Sequence, residues 1–177
     1  EAPGGRIVSA TDRTPRRALV GLGANLGDAA GTLREALKAI GRIEGVLSIR
    51  ASRFYATSPV DAGGPDYVNA VALLETTLAP EALLSELQAI EKAFGRVRPK
   101  GVVNAPRTMD LDLLRMDGET RETEVLTLPH PRMTGRLFVL VPWLDVEPDA
   151  MLPDGRSVRN AVEALRASDP SQQIRVL

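Results

Sequence analysis

Between positions 18 and 114 the spacing of apolar side chains switches repeatedly between a period of two and a period near 3.6. The order of those switches restricts the possible folds more than any other property of the chain. A short apolar run at 18–21 predicts a buried strand. Leu33, Ala36, Leu37 and Ile40 then form a helical stripe, ended by Gly41. Positions 46–55, rich in Val, Ile and aromatics, and positions 67–76 predict two further strands. Pro80 suits the first turn of a second helix, striped by Leu83, Leu84, Leu87, Ile90 and Phe94 and closed by Gly95. A strand follows from position 109. Strand, helix, strand, strand, helix, strand is the order of an α+β fold with a ferredoxin-like βαββαβ core, an antiparallel-dominated sheet with two helices on one face. C-terminal additions are predicted as an extended turn at 126–131, a short helix at 137–144 stopped near Pro142, and a last helix striped by Val158, Ala161, Val162 and Leu165. A short edge strand at 174–177 ends the series. Residues 1–17 carry almost no apolar periodicity and are expected to be a flexible tail, leaving 18–177 as a single domain.

Composition excludes several classes of function. The 22 basic and 23 acidic residues leave a net charge of −1, with no bulk attraction to nucleic acid or an anionic membrane. Cysteine is absent, which removes disulfides and thiolate metal sites and fits a reducing compartment. There is no apolar run of 18 residues that could span a bilayer. A cytoplasmic protein without membrane partners is the expectation, and a monomer.

The glycine-rich stretch after the first strand, Gly21-Leu22-Gly23-Ala24-Asn25-Leu26-Gly27, invites comparison with a dinucleotide-binding turn. Its third glycine position holds Leu26, so the fingerprint fails. A tight strand-to-helix turn with Asp28 as N-cap is the better reading.

Met109-Asp110-Leu111-Asp112-Leu113 alternates apolar and acidic residues, so both carboxylates face one way, roughly 7 Å apart along the strand. Such a pair suits an oxygen-seeking cation such as Mg²⁺, although an Asp-x-Asp strand by itself is more often a solvated face. Its surroundings supply further chemistry. Arg96, Arg98, Lys100 and Arg107 crowd the preceding loop, as phosphate ligands beside a metal would. His130 is the only histidine, confined between Pro129 and Pro131, with Arg136 six residues on. A lone histidine is usually structural or merely exposed. Tyr67 and Phe138 each flank an irregular segment, and both core packing and stacking on a planar ligand remain open for them.

These residues fall into ordered motifs. The stretch from Ala105 to Leu114, together with Gly23-Ala24-Asn25-Leu26-Gly27, Phe54-Tyr55-x-Thr57, Tyr67-Val68-Asn69-Ala70, Gly95-Arg96-Val97-Arg98 and Leu128-Pro129-His130-Pro131, resembles the 6-hydroxymethyl-7,8-dihydropterin pyrophosphokinase family of folate biosynthesis. The resemblance implies transfer of pyrophosphate from ATP, the co-substrate, to the hydroxymethyl group of the pterin, with release of AMP. It implies that Asp110 and Asp112 hold two Mg²⁺ ions, and that Arg96, Arg98 and Arg107 act on the phosphates as catalytic groups. His130 and Arg136 would grip the phosphate tail. Gln88, Glu91, Leu113 and Thr127 would border the nucleoside. The pterin would stack between Tyr67 and Phe138, with Asn69, Asp110 and the chain at Thr57, Ser58 and Val60 on its polar edge. The chain departs from the family pattern at Val103 and Asn104, where a basic residue and a Trp are usual, and at Ser58, where Pro is common. A ferredoxin-like RNA-binding module is the rival from another class. It would need a basic surface and exposed sheet aromatics, and aromatics make up only 3% of this chain.

Overall fold

The computed structural model describes residues 14–58, 66–95 and 109–177. The expectations placed on Val60, Arg96, Arg98, Lys100, Val103, Asn104 and Arg107 lie outside the described residues. The first strand, β1 (Arg16–Ala24), is followed by α1 (Ala29–Gly41), β2 (Val46–Ala51), β3 (Tyr55–Thr57), β4 (Tyr67–Thr76), α2 (Pro80–Gly95) and β5 (Asp110–Met116). A small hairpin of β6 (Arg121–Glu122) and β7 (Thr127–Leu128) then leads to a 3-10 turn at Met133–Gly135. The chain closes with α3 (Leu137–Val146), α4 (Val158–Ser168) and β8 (Ile174–Val176). The main sheet runs β5-β1-β4-β3-β8, with β2 also paired to β4, and every pairing is antiparallel. This is the ferredoxin-like order expected from the alternating periods.

β1 explains the shape of the core. Ala18, Leu19 and Val20 are all fully buried although neighbours on a strand face opposite ways. Ala18, Val20 and Leu22 join Leu33, Ile40, Leu83 and Leu87 in a cluster beneath α1 and α2. Leu19 and Val71 face the other way, into a second cluster with Leu137, Leu140, Trp143 and Val162 from α3 and α4. The C-terminal additions therefore cover the second face of the sheet, and the helices are not confined to one face.

Local details depart from the expectations in four places. β1 begins at Arg16, inside the expected tail, because Arg16 pairs with Glu119 and Arg17 with Asp117 and Glu147. It also continues to Ala24, so Gly21 and Gly23 lie within the strand; in the turn that follows it is Gly27 that takes a positive φ, of 58°. The single strand expected at 46–55 is broken by Ser52. Its backbone N–H donates to Val71 O at 2.9 Å, its Oγ accepts from Val71 N at 3.0 Å, and its hydroxyl donates to Arg53 O at 2.7 Å. A side chain thus completes the ladder where the backbone turns aside. Lastly, Pro142 sits inside α3 and does not stop it near 144. A proline in a helix interior costs about 3 kcal/mol. The buried Leu137, Leu140 and Trp143 each return an amount of that order or a little less, and together they outweigh it. Asp28 caps α1 as expected, accepting from Gly31 N at 3.0 Å.

Candidate active site

β5 carries the two aspartates on one exposed face, while Leu111 and Leu113 are 4% and 3% exposed on the other. The register of β1 against β5 sets Gly23 opposite Asp110 and Gly21 opposite Asp112. Directly paired residues share a face, so two missing side chains lie beside two carboxylates and leave the sheet open there.

That opening is the floor of a cavity of about 210 Å³. Thr57 from β3, Ser58 just after it, and Tyr67 and Asn69 from β4 wall it on one side, and Arg136, the N-cap of α3, and Phe138 from its first turn on the other. Neither ring is sealed in the core: Tyr67 is 37% exposed and Phe138 is partly buried. The Arg136 guanidinium lies over the Phe138 ring, 5.3 Å from its centroid. Thr57 Oγ1 donates to Asn69 Oδ1 at 2.7 Å, which leaves the Asn69 amide nitrogen as the donor.

A second cavity, of about 360 Å³, opens on the other side of the aspartates. Gln88 and Glu91 from α2, Leu113 from β5, and Thr127 from the β6–β7 hairpin border it. Glu91 Oε2 also accepts from the backbone N–H of Leu111 at 2.7 Å, bracing β5 between the two aspartates. Asp110, Asp112 and His130 line both cavities. Arg136, expected on the phosphate tail beside His130, lines the first cavity and not the second.

His130 is tied to β5 through its backbone, which donates to Leu114 O at 2.7 Å. Its Nδ1 accepts from Arg132 N at 3.2 Å. Burial lowers its pKa below the ordinary histidine value, against the pull of Asp112 and with the push of Arg136 and Arg132. Among the described residues no group of three or more His, Cys, Asp or Glu side chains could hold a metal. Two carboxylates on one face nonetheless fit Mg²⁺, which takes few protein ligands and completes its octahedron with water and substrate phosphate.

Among the lining residues that sequence reasoning did not assign to the site are Gly21, Gly23, Leu114 and Met133 in the first cavity, and Leu84 and Val125 in the second. Glycine inside a strand was the available signal for the first two. A larger cleft of about 740 Å³ lies elsewhere, lined by Arg17, Arg50, Arg115, Asp117, Trp143 and Glu147 among others. Several of its charges are spent on each other, in the pairs Arg17–Asp117, Arg17–Glu147 and Arg115–Asp117. It shares no residue with the two cavities at the aspartates.

A ferredoxin-like sheet with a carboxylate pair between two cavities is an arrangement able to seat two substrates on either side of one metal-binding strand, as a group-transfer enzyme needs. Residues 19–148 match the family described as 7,8-dihydro-6-hydroxymethylpterin-pyrophosphokinase (HPPK), and the chain belongs to that family. It is 41% identical over 147 residues to the 2-amino-4-hydroxy-6-hydroxymethyldihydropteridine pyrophosphokinase of Haemophilus influenzae, covering 82% of this chain and 91% of that protein. The Pseudomonas aeruginosa protein of the same name is 40% identical over 150 residues, covering 84% and 91%. A solved HPPK-DHPS structure from Plasmodium falciparum, with pterin and p-hydroxybenzoate, shares the fold at a TM-score of 0.67 and 13% identity. The match covers 88% of this chain and 44% of that longer one.

Proposed function

We propose that this chain transfers the pyrophosphoryl group of ATP to the hydroxymethyl group of 6-hydroxymethyl-7,8-dihydropterin, releasing AMP, in folate biosynthesis. The observation that carries the reading is the position of Asp110, Asp112 and His130, which form the common boundary of two cavities. An acceptor on one side and a polyphosphate on the other meet there.

The first cavity takes the pterin, stacked between Tyr67 and Phe138. The Asn69 amide, Asp110 and the chain at Thr57, Ser58 and Val60 pair with its polar edge. The second takes the nucleoside, beside Gln88, Glu91, Leu113 and Thr127. The acceptor hydroxyl oxygen bonds to the β-phosphorus, and the bond from that phosphorus to the oxygen bridging the α-phosphate breaks. AMP leaves with the bridging oxygen, and the hydroxyl proton is released. Arg96, Arg98 and Arg107 bind phosphate oxygens and stabilise the charge spread over them. His130 adds a contact to the same phosphates, and Arg136 reaches them from the pterin side. Asp110 and Asp112 would hold two Mg²⁺ ions, which supply charge neutralisation to the triphosphate when bound. Confining both substrates on one rigid strand supplies the orientation that a bimolecular step in water lacks.

We take the chain to act as a cytoplasmic monomer with no nucleic-acid or membrane partner. The balanced charge supports the lack of a nucleic-acid partner and the absence of cysteine fits a reducing compartment, and no helix among the described residues is long and apolar enough to cross a membrane. The deciding assay is AMP formation from ATP and Mg²⁺, with and without 6-hydroxymethyl-7,8-dihydropterin. Pterin-dependent AMP is expected. Its absence would overturn the reading.

A further inference from the structure

We propose that Gln172 is a positioning residue for the transfer: the C-terminal segment 172–177 straps together the two walls of the first cavity and sets the gap that the pterin enters. The inference rests on the assignment of that cavity to the pterin and deepens it, by naming a remote residue that controls the fit.

The start of α3 carries a conflict. Arg136 is its N-cap and Phe138 lies in its first turn, and both line the first cavity. An N-cap residue ordinarily turns a short polar side chain back onto the first helical amides. Arginine has no acceptor with which to do this, and Arg136 makes no side-chain cap bond. Leu137, between the two, is 1% exposed, so its N–H needs a partner within the protein. Gln172 supplies it. Its Oε1 accepts from Leu137 N at 2.8 Å, and its Nε2 donates to Gly135 O at 2.9 Å and to Asp169 Oδ2 at 3.1 Å. Both amide protons and the oxygen are engaged, which fixes the orientation of the amide. With the cap borrowed from 35 residues away, the Arg136 guanidinium lies over the Phe138 ring and not back on its own helix.

The opposite wall is held by the same segment. β8 begins two residues after Gln172 and pairs with β3, with Ile174 opposite Thr57 and Val176 opposite Tyr55. Leu177 N donates to Phe54 O at 2.9 Å. Arg175 forms a looser ion pair, at 3.5 Å, with Asp66, the residue before Tyr67. The segment therefore touches β3 beside Thr57, the chain at the foot of Tyr67, and the N-terminus of α3, while lining neither cavity itself. Tyr67 and Phe138 come from opposite walls, and a planar ligand stacked on both rings depends on the gap between them. Gln172 lies beyond the residues 19–148 that match the family, so no motif marks it.

The test is pterin binding, measured by calorimetry with Mg²⁺ and a non-hydrolysable ATP analogue already bound. Gln172→Ala is expected to weaken it about tenfold, as a small misplacement of a remote binding group does. Affinity for the nucleotide, measured before pterin is added, should be unchanged, because the strap does not reach the second cavity. Gln172→Glu is nearly isosteric but turns an acceptor toward Gly135 O and Asp169, and should lose at least as much. Wild-type pterin affinity in either variant would overturn the proposal. A lowered unfolding midpoint with pterin affinity kept would reduce Gln172 to a structural cap, and overturn it equally. A double-mutant cycle supplies an independent reading. If Gln172 acts through Phe138, the two losses are not additive, and Gln172→Ala should change pterin affinity little in a Phe138→Ala background. An undiminished loss there would reject the strap. A wild-type protein that binds the nucleotide but no pterin would instead remove the assignment of the cavity, and the strap's role with it.

Discussion

Asn69 is fixed by Thr57 and lies close against Gly23. Its Oδ1 accepts from Thr57 Oγ1 at 2.7 Å, and a Cβ placed on Gly23 would come within 2.9 Å of its Nδ2. Real Cβ atoms essentially never approach that closely, so Gly23→Ala must displace the amide nitrogen. The expected result is a loss of about tenfold in pterin affinity by calorimetry, roughly 1.4 kcal/mol, with affinity for an ATP analogue unchanged. Unaltered pterin binding would show that Asn69 does not read this ligand. The aspartates make a sharper case. Both are exposed, and Asn is isosteric with Asp, so Asp110→Asn and Asp112→Asn should leave thermal unfolding nearly unchanged while abolishing turnover. Full activity in either variant would reject the metal-binding role.

At the scale of elements, α3 matters most, because its first turn presents Phe138 and, just before it, Arg136. Two remote segments hold it. Gln172, just before β8, accepts from Leu137 N at 2.8 Å and donates to Gly135 O at 2.9 Å, bracketing Arg136. At the far end Asp145 accepts from Tyr55 Oη at 2.7 Å and from the Arg53 guanidinium at 3.0 Å. Burial first, and then the Asp145 carboxylate, push the Tyr55 phenol up to about 12. Tyr55→Phe removes one of the hydrogen bonds to the carboxylate while keeping the ring buried. It should cost about 1–2 kcal/mol in denaturant unfolding, and no change in the unfolding midpoint would mean that the contact adds nothing net. None of this was legible from α3 itself. Its segment is apolar on nearly every side, so its pattern predicts a buried helix without saying which face of which sheet will cover it. The amphipathic α1, by contrast, was readable to its N-cap. The strand break at Ser52 escaped because Val, Ile and aromatics persist on both sides of it.

Over the whole molecule, the central strands β1 and β4 are buried on both faces, and the carboxylates of ion pairs, such as Asp117 and Asp145, lie outside them. Asp117 and Asp145 show how these contribute. Burial opposes ionisation of each, but hydrogen bonds from Arg115 and Arg17 in one case, and from Arg53 and Tyr55 in the other, outweigh it and hold both carboxyls below their ordinary range. In acid the unfolded chain binds these protons before the native state does, so stability falls as pH drops. The contribution is fully present above the ordinary carboxylate pKa, about 4, and is lost as pH falls through the lowered folded values. Denaturant midpoints measured from neutral pH into acid should show this decline, and a flatter decline in Asp145→Asn. An identical slope in that variant would exclude Asp145 as a contributor.

The sequence by itself determined the alternation of strands and helices in the core apart from the break at Ser52, the N-cap of α1, and the common face of Asp110 and Asp112. Each of these follows from the period of the chain over a few neighbouring residues, or from one side chain next to its own backbone. Only the tertiary structure decided that α3 and α4 cover the second face of the sheet, that Gly21 and Gly23 lie opposite the aspartates, and that His130 is tied to β5 through Leu114. It alone set Asp110, Asp112 and His130 on the boundary between two cavities. These relations join residues remote in the chain, through strand register and packing across the sheet. Such contacts are selected by the total burial of the folded molecule and leave no periodic trace in any one segment.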